Sequence, residues 1–175
     1  MADQLALVTG ASSGIGLSLA HELASRGYDL IVCSAGERLD HAYESLQSCG
    51  VDVAEIRADL ATREGVEMLW ETVKGTGRPL DIACINAGVG VGGNFWDTDL
   101  SQELNMVELN CAGTIHLAKH VVREMKYRDE GRFFSPLPLP VRWSLRARLS
   151  TRLRRPSSSH LPTACATSCV KQVSP

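Results

Sequence analysis

The amino-acid sequence predicts an α/β fold: a doubly wound parallel sheet, incomplete at its carboxyl side and followed by a disordered basic tail. Three observations predict it. Residues 1–131 alternate short β-rich apolar runs with segments of helical spacing, in the order β-α-β-α-β-α-β-α. Repeated crossovers of that kind are right-handed and put helices on both faces of a parallel sheet. The strand runs are nearly continuous in apolar residues, as strands buried on both faces must be. After Gly131 both the periodicity and the charge balance change abruptly.

The elements follow in order. LALVT (5–9) is the first strand, with a Gly/Ser-rich turn after it. Residues 14–26 carry Ile15, Leu19 and Leu23 at helical spacing, and Gly27 is placed to stop that helix. DLIVC (29–33) is the second strand, and residues 37–50 form a helix closed by Gly50. VAEIRADL (53–60) is the third strand. The helix at 63–74 shows Val66, Leu69 and Val73 on one face. LDIACINAG (80–88) is a fourth strand ending at glycine. Asp99 or Ser101 caps a long helix to about Arg128, with Leu104, Val107, Cys111, Ala118, Val121 and Met125 marking its buried side.

The 175 residues carry a net charge of −2, which conceals two unlike segments. Residues 1–131 hold 10 Lys+Arg against 20 Asp+Glu; residues 132–175 hold 8 Lys+Arg and no acidic residue. Six of the seven prolines lie in the second stretch, and Pro136, Pro138 and Pro140 at alternate positions forbid a central strand there. The reading is therefore a domain at 1–131 and an Arg/Ser/Pro-rich tail at 132–175 without a compact fold. It leaves the fourth strand with an open edge. No apolar run approaches the roughly 18 residues of a membrane span, and no signal peptide is indicated, so a cytoplasmic protein is expected. The six cysteines show no metal-ligand spacing and read as reduced thiols, with Cys33, Cys84 and Cys111 as small core residues. No residue is assigned to a metal. The basic tail has no aromatic interleaving beyond Trp143 and no recognised fold, so nucleic acid is not the expected partner.

The most specific motif is Thr9-Gly10-Ala11-Ser12-Ser13-Gly14-Ile15-Gly16, between the first strand and the first helix. Glycines there allow a tight turn and close backbone approach, and the helix N-terminus offers free N–H groups to a pyrophosphate. This segment resembles the TGxxxGxG cofactor motif of the short-chain dehydrogenase/reductase family, which has a Rossmann-like NAD(P)-binding fold. Three further matches follow in order. Asp59-Leu60 resembles the position whose acid hydrogen-bonds the adenine amino group. Asn86-Ala87-Gly88 resembles the motif that stabilises the sheet near the cofactor. Asn110 resembles the catalytic-site asparagine, which holds an ordered water where its helix kinks. The resemblance covers about three quarters of the chain.

What the resemblance implies is hydride transfer between a nicotinamide dinucleotide and a small carbonyl or alcohol. It implies NADP, with NAD as the alternative. The acid that would bind both ribose hydroxyls after the second strand is missing, Ser34 is placed to donate to a 2′-phosphate, and Arg38 adds positive charge. The arginine usual at 34 or 35 in NADP-preferring members is absent. The family's chemistry also needs a serine and a Tyr-x-x-x-Lys pair on one helix face. Tyr28, Tyr43 and Tyr127 are followed four residues later by Val32, Gln47 and Gly131, so the chain has no such pair. The expected fifth strand begins at Gly131-Arg132-Phe133-Phe134 but runs into Ser135-Pro136, and the family's later oligomer helices have no counterpart. A change of reading frame accounts for this departure. Read out of frame from Pro162, permitted codons allow NCMRNELREAGVS, which resembles the end of the family's next helix. An inactive oxidoreductase relative is therefore expected, with a non-catalytic nucleotide-binding or interaction module as the alternative.

Overall fold

The computed structural model describes residues 4–135. The basic stretch from Pro136 onward, for which the sequence predicts no compact fold, lies outside the described residues. Within them the chain runs β1 (Leu5–Thr9), α1 (Gly14–Ser25), β2 (Asp29–Ser34), α2 (Leu39–Gln47), β3 (Val53–Arg57), α3 (Arg63–Gly75) and β4 (Leu80–Ile85). It continues through α4 (Leu100–Val107), a π-helical segment (Glu108–Gly113), α5 (Thr114–Arg128) and β5 (Arg132–Phe134). The five strands are parallel, in the order β3-β2-β1-β4-β5. The predicted doubly wound sheet is thus present, with β1 central and the chain crossing over it between β3 and β4.

Strand pleating sorts the core into two layers. Leu5 and Leu7 of β1, with Ile31 and Cys33 of β2, face Leu69, Trp70, Leu117, Val121 and Met125 of α3 and α5. Ala6 and Val8, with Leu30 and Val32, face Ala20, Leu23, Leu39 and Leu46 of α1 and α2. Adjacent residues on each strand therefore bury against opposite helix layers. The helix ends follow local chemistry. Thr62 caps α3 by accepting the Gly65 N–H at 3.1 Å, and Asp99 caps α4 by accepting the Ser101 N–H at 2.8 Å. Gly27 and Gly50, the predicted stops after α1 and α2, adopt φ of +83° and +76°, a region that favours glycine.

Two expectations are corrected. The sheet does not end at β4. Residues 132–134 pair with it, Ile82 against Arg132, Ala83 against Phe133 and Cys84 against Phe134, before the first proline of the tail intervenes. The strand edge expected to be open is covered over those residues. Second, the long helix is not continuous, because a π-helical segment interrupts it. Ala118, Val121 and Met125 are buried as predicted, but Leu104 is 57% exposed and Val107 and Cys111 are also exposed. Apolar spacing defines a helix face, whereas burial needs a second surface, and α4 buries none of its residues. The helix read at 14–26 is α1, in which Leu23 is buried and Ile15, in the first turn, is 66% exposed. No helix among the described residues is long and apolar enough to cross a membrane.

This difference between the two ends of the long helix is measurable. Leu117→Ala removes a fully buried side chain and is expected to destabilise the fold by about 2–5 kcal/mol. Leu104→Ala, at an exposed position of α4, is expected to stay within about 0.5 kcal/mol. Urea unfolding of the two variants checks both values.

Candidate nucleotide-binding site

In an open parallel sheet, the crevice for a ligand opens beyond the carboxyl ends of strands where successive connections leave in opposite directions. Here that point lies between β1 and β4. The two chain segments that meet there are Thr9-Gly10-Ala11 and Asn86-Ala87-Gly88. The Thr9 hydroxyl, fully buried, accepts the backbone N–H groups of Asn86 and Ala87, each at 3.0 Å. The Asn86 side-chain amide donates to the Thr9 carbonyl at 3.4 Å. Gly10 has φ +67°, and a Cβ added to it would lie 2.9 Å from Ala87 Cα. Only glycine gives this turn both its conformation and its contact with the end of β4.

The turn then launches α1 close against itself. A Cβ on Gly16 would lie 2.1 Å from the Gly10 carbonyl oxygen, so helix and turn touch backbone to backbone. On the other side, the Gly10 and Ala11 N–H groups donate to the Cys33 carbonyl at 2.8 and 3.3 Å, tying the turn to β2. Ser13 is the N-cap of α1, with extended backbone and no side-chain cap hydrogen bond, and the first turn holds no acidic residue. Its leading N–H groups and the positive end of the helix dipole are therefore not neutralised by a local side chain. Gly14 opens the helix at φ +56°, with open space where a side chain would stand.

The remaining sequence-predicted residues form a belt along the same edge of the sheet. The Ser34 hydroxyl donates to the Ser12 hydroxyl at 3.1 Å, bringing the end of β2 onto the glycine turn. Arg38 is exposed at the start of α2. Asp59 is exposed, and its Oδ1 accepts the Ala61 N–H at 3.0 Å, which fixes the turn after β3. Leu60 is buried, and its carbonyl lies against Gly113, where an added Cβ would come within 1.9 Å. Asn110 lies in the π-helical segment. Its Oδ1 accepts the Val89 N–H at 3.0 Å and its Nδ2 donates to the Val89 carbonyl at 2.8 Å. The kink inferred from the resemblance is thus a π-helical stretch, and the asparagine binds the loop after β4 through both faces of its amide. Sequence reasoning missed the roles of Thr9 and Val89. The Thr9 hydroxyl stood in the motif with no signal of its partners, which lie 77 and 78 positions away.

Comparison with known proteins agrees with this geometry. The family model for short chain dehydrogenases matches residues 4–134. The chain belongs to the short-chain dehydrogenase family. It is 35% identical over 130 residues to 1-deoxy-11-beta-hydroxypentalenate dehydrogenase of Streptomyces avermitilis, covering 73% of this chain and 47% of that protein. L-sorbose reductase from Gluconobacter frateurii, solved with NADPH and L-sorbose, superposes with a TM-score of 0.69 at 32% identity. That match covers 75% of this chain and 51% of the reductase. An NAD+-bound xylitol dehydrogenase superposes with the same TM-score at 28% identity, covering 76% of this chain and 52% of that one. The chain spans about half the length of the relatives it matches.

The site generates two predictions. Thr9→Val keeps the shape but removes the acceptor of two half-buried N–H groups, at an expected cost of about 1 kcal/mol or more. Thr9→Ser retains the oxygen and should recover much of that loss in the same urea titration. Cys33 lies directly beneath the turn, and burial pushes its thiol up to about 12. At pH 8 it is expected to resist iodoacetamide in the folded protein, whereas the exposed Cys49 and Cys111 react. Peptide mass spectrometry after alkylation reads this directly.

Proposed function

We propose that this chain binds the adenosine and pyrophosphate part of a nicotinamide dinucleotide at the glycine turn, with NADP preferred over NAD. One observation supports this above the others. Gly14 leaves open space at the start of α1, Gly10 and Gly16 let the turn, the helix and the end of β4 meet backbone to backbone, and α1 presents an N-terminus without a side-chain cap. The residues present fit such a group. Backbone N–H groups of the Ser12–Gly16 turn would hold the pyrophosphate, Asp59 and Leu60 the adenine, and Ser34 and Arg38 the 2′-phosphate. Asn86, Ala87 and Gly88 form the wall on the β4 side. The solved relatives named above carry NADPH or NAD+, in keeping with that order of preference.

The bound nicotinamide would supply hydride exchange with a carbonyl or alcohol, the family reaction. What this chain's own residues contribute is narrower. Asn110 holds Val89 and so positions the loop beside the crevice, but a carboxamide supplies no proton at neutral pH. Of the three tyrosines, Tyr43 accepts a hydrogen bond from the Gln47 side chain at 2.7 Å on the outside of α2, and Tyr127 lies exposed at the far end of α5. Neither stands with a lysine four residues on. The proposed function is therefore that of an oxidoreductase relative which binds cofactor without turnover.

NADPH titration followed by fluorescence is expected to show weak, saturable binding. Arg38→Ala should weaken NADPH by about three- to tenfold while leaving NADH nearly unchanged, since only the phosphate is lost as a partner; Ser34→Ala, which also loses the bond to Ser12, should weaken both dinucleotides and NADPH the more. The same preparation is expected to reduce no carbonyl substrate with NADPH. Measurable cofactor-dependent reduction would overturn the inactive reading, and absence of binding to either dinucleotide would overturn both. Tight, specific binding without turnover favours the nucleotide-binding module.

A further inference from the structure

Helices α3 and α5 pack together over the sheet face that holds Leu5 and Leu7. Where they meet, three side chains with metal-ligating atoms converge. His116 and His120 are four residues apart on α5, so their rings lie on one side of that helix. Glu67 reaches them from α3. The same carboxylate oxygen, Oε1, lies 2.8 Å from His116 Nε2 and 3.2 Å from His120 Nε2. One ligand atom from each residue can be chosen so that all three lie within 4.8 Å of one another. The two imidazoles are 5.1 Å apart between centroids, and His120 stacks at 5.3 Å on the buried ring of Trp70.

We propose that Glu67, His116 and His120 form a site for a borderline divalent cation of the zinc type, joining α3 to α5. Two imidazoles and one carboxylate are a donor set that suits this class, and leave a fourth tetrahedral position for water. Bond lengths of about 2.0–2.1 Å around a tetrahedral ion separate the ligand atoms by about 3.3 Å. The present spacings need only small side-chain rotations to reach it. The Trp70 stack restricts the His120 ring, so part of the ordering is already done. Access is retained, because the side chains of His116, His120 and Glu67 are 26, 24 and 42% exposed.

The same three residues could be held without a metal, by both imidazole N–H groups donating to one oxygen. The two arrangements differ in what a metal titration reads. The full 175-residue chain, stripped with chelator and kept reduced, is titrated with zinc chloride by calorimetry. X-ray absorption at the zinc edge is then recorded on the one-to-one sample. The expected shell holds only nitrogen and oxygen at about 2.0–2.1 Å, and a thiolate distance near 2.3 Å would assign the zinc to cysteines and overturn the proposal. Loss of an outer-shell partner alone weakens metal sites by about 10–100-fold. Removing two ligands in H116Q/H120Q should weaken zinc by at least as much and abolish any zinc-dependent rise in Tm. Glu67→Gln should show the same direction with a smaller loss. Unchanged affinity in the double variant, or no binding by the unsubstituted chain at submillimolar zinc, overturns the proposal. If the double variant does not fold, the absorption spectrum of the unsubstituted chain decides alone.

Discussion

The contact between the end of β1 and the end of β4 governs the rest of this molecule. One buried hydroxyl, that of Thr9, takes two backbone N–H groups from a segment more than 75 positions away in sequence. That pairing sets the register in which Thr9 stands beside Ile85, and it brings Ala87 against Gly10 at a distance only glycine tolerates. Thr9 is fully buried while Asn86 and Ala87 are half-buried, so these bonds are made where water has limited access. The crevice is therefore rigid where a ligand's backbone contacts would be made, because its floor is also the lock between two halves of the sheet.

From that lock the site extends outward through progressively softer contacts. Cys33 holds the turn through its carbonyl, and Ser34 reaches Ser12 by hydroxyl alone. Across the gap, the Asn110 amide takes hold of Val89, and Gly113 lets the Leu60 carbonyl approach the π-helical segment. A π-helical stretch spends its extra residue on reorienting side chains. Here it turns Asn110 toward the loop after β4, while α5 continues with Leu117, Val121 and Met125 still packed on the sheet. The interruption thus lets one helical region serve two surfaces, the crevice at its start and the core along its second half. The same second half carries His116 and His120 toward α3, on positions free to hold polar groups because Leu117, Ala118 and Val121 already supply the core contacts.

Much of this was legible from the sequence. The parallel order follows from alternating apolar runs and helical spacing, and the glycine turn follows from Gly10, Gly14 and Gly16 in a strand–turn–helix context. Helix stops at Gly27 and Gly50 and the cap at Asp99 are local chemistry, and they stand where the residues put them. The errors lie where a local rule meets a non-local fact. Leu104, Val107 and Cys111 have the right spacing for burial but are exposed. The break at Ser135-Pro136 argued for an open edge on the fourth strand, yet Arg132–Phe134, where the sequence begins a fifth strand, pair with β4.

The sequence by itself determined the class of sheet, the place of the glycine turn and the absence of a Tyr-x-x-x-Lys pair, because each depends on residues close together in the chain. Tertiary structure alone decided that Thr9 anchors Asn86 and Ala87, that Asn110 engages Val89, and that Glu67 meets His116 and His120. These pairs are separated by 21 to 78 positions. Their partners are selected by how the sheet and helices stack, and no periodicity along the chain encodes which side chains that stacking brings within hydrogen-bond distance.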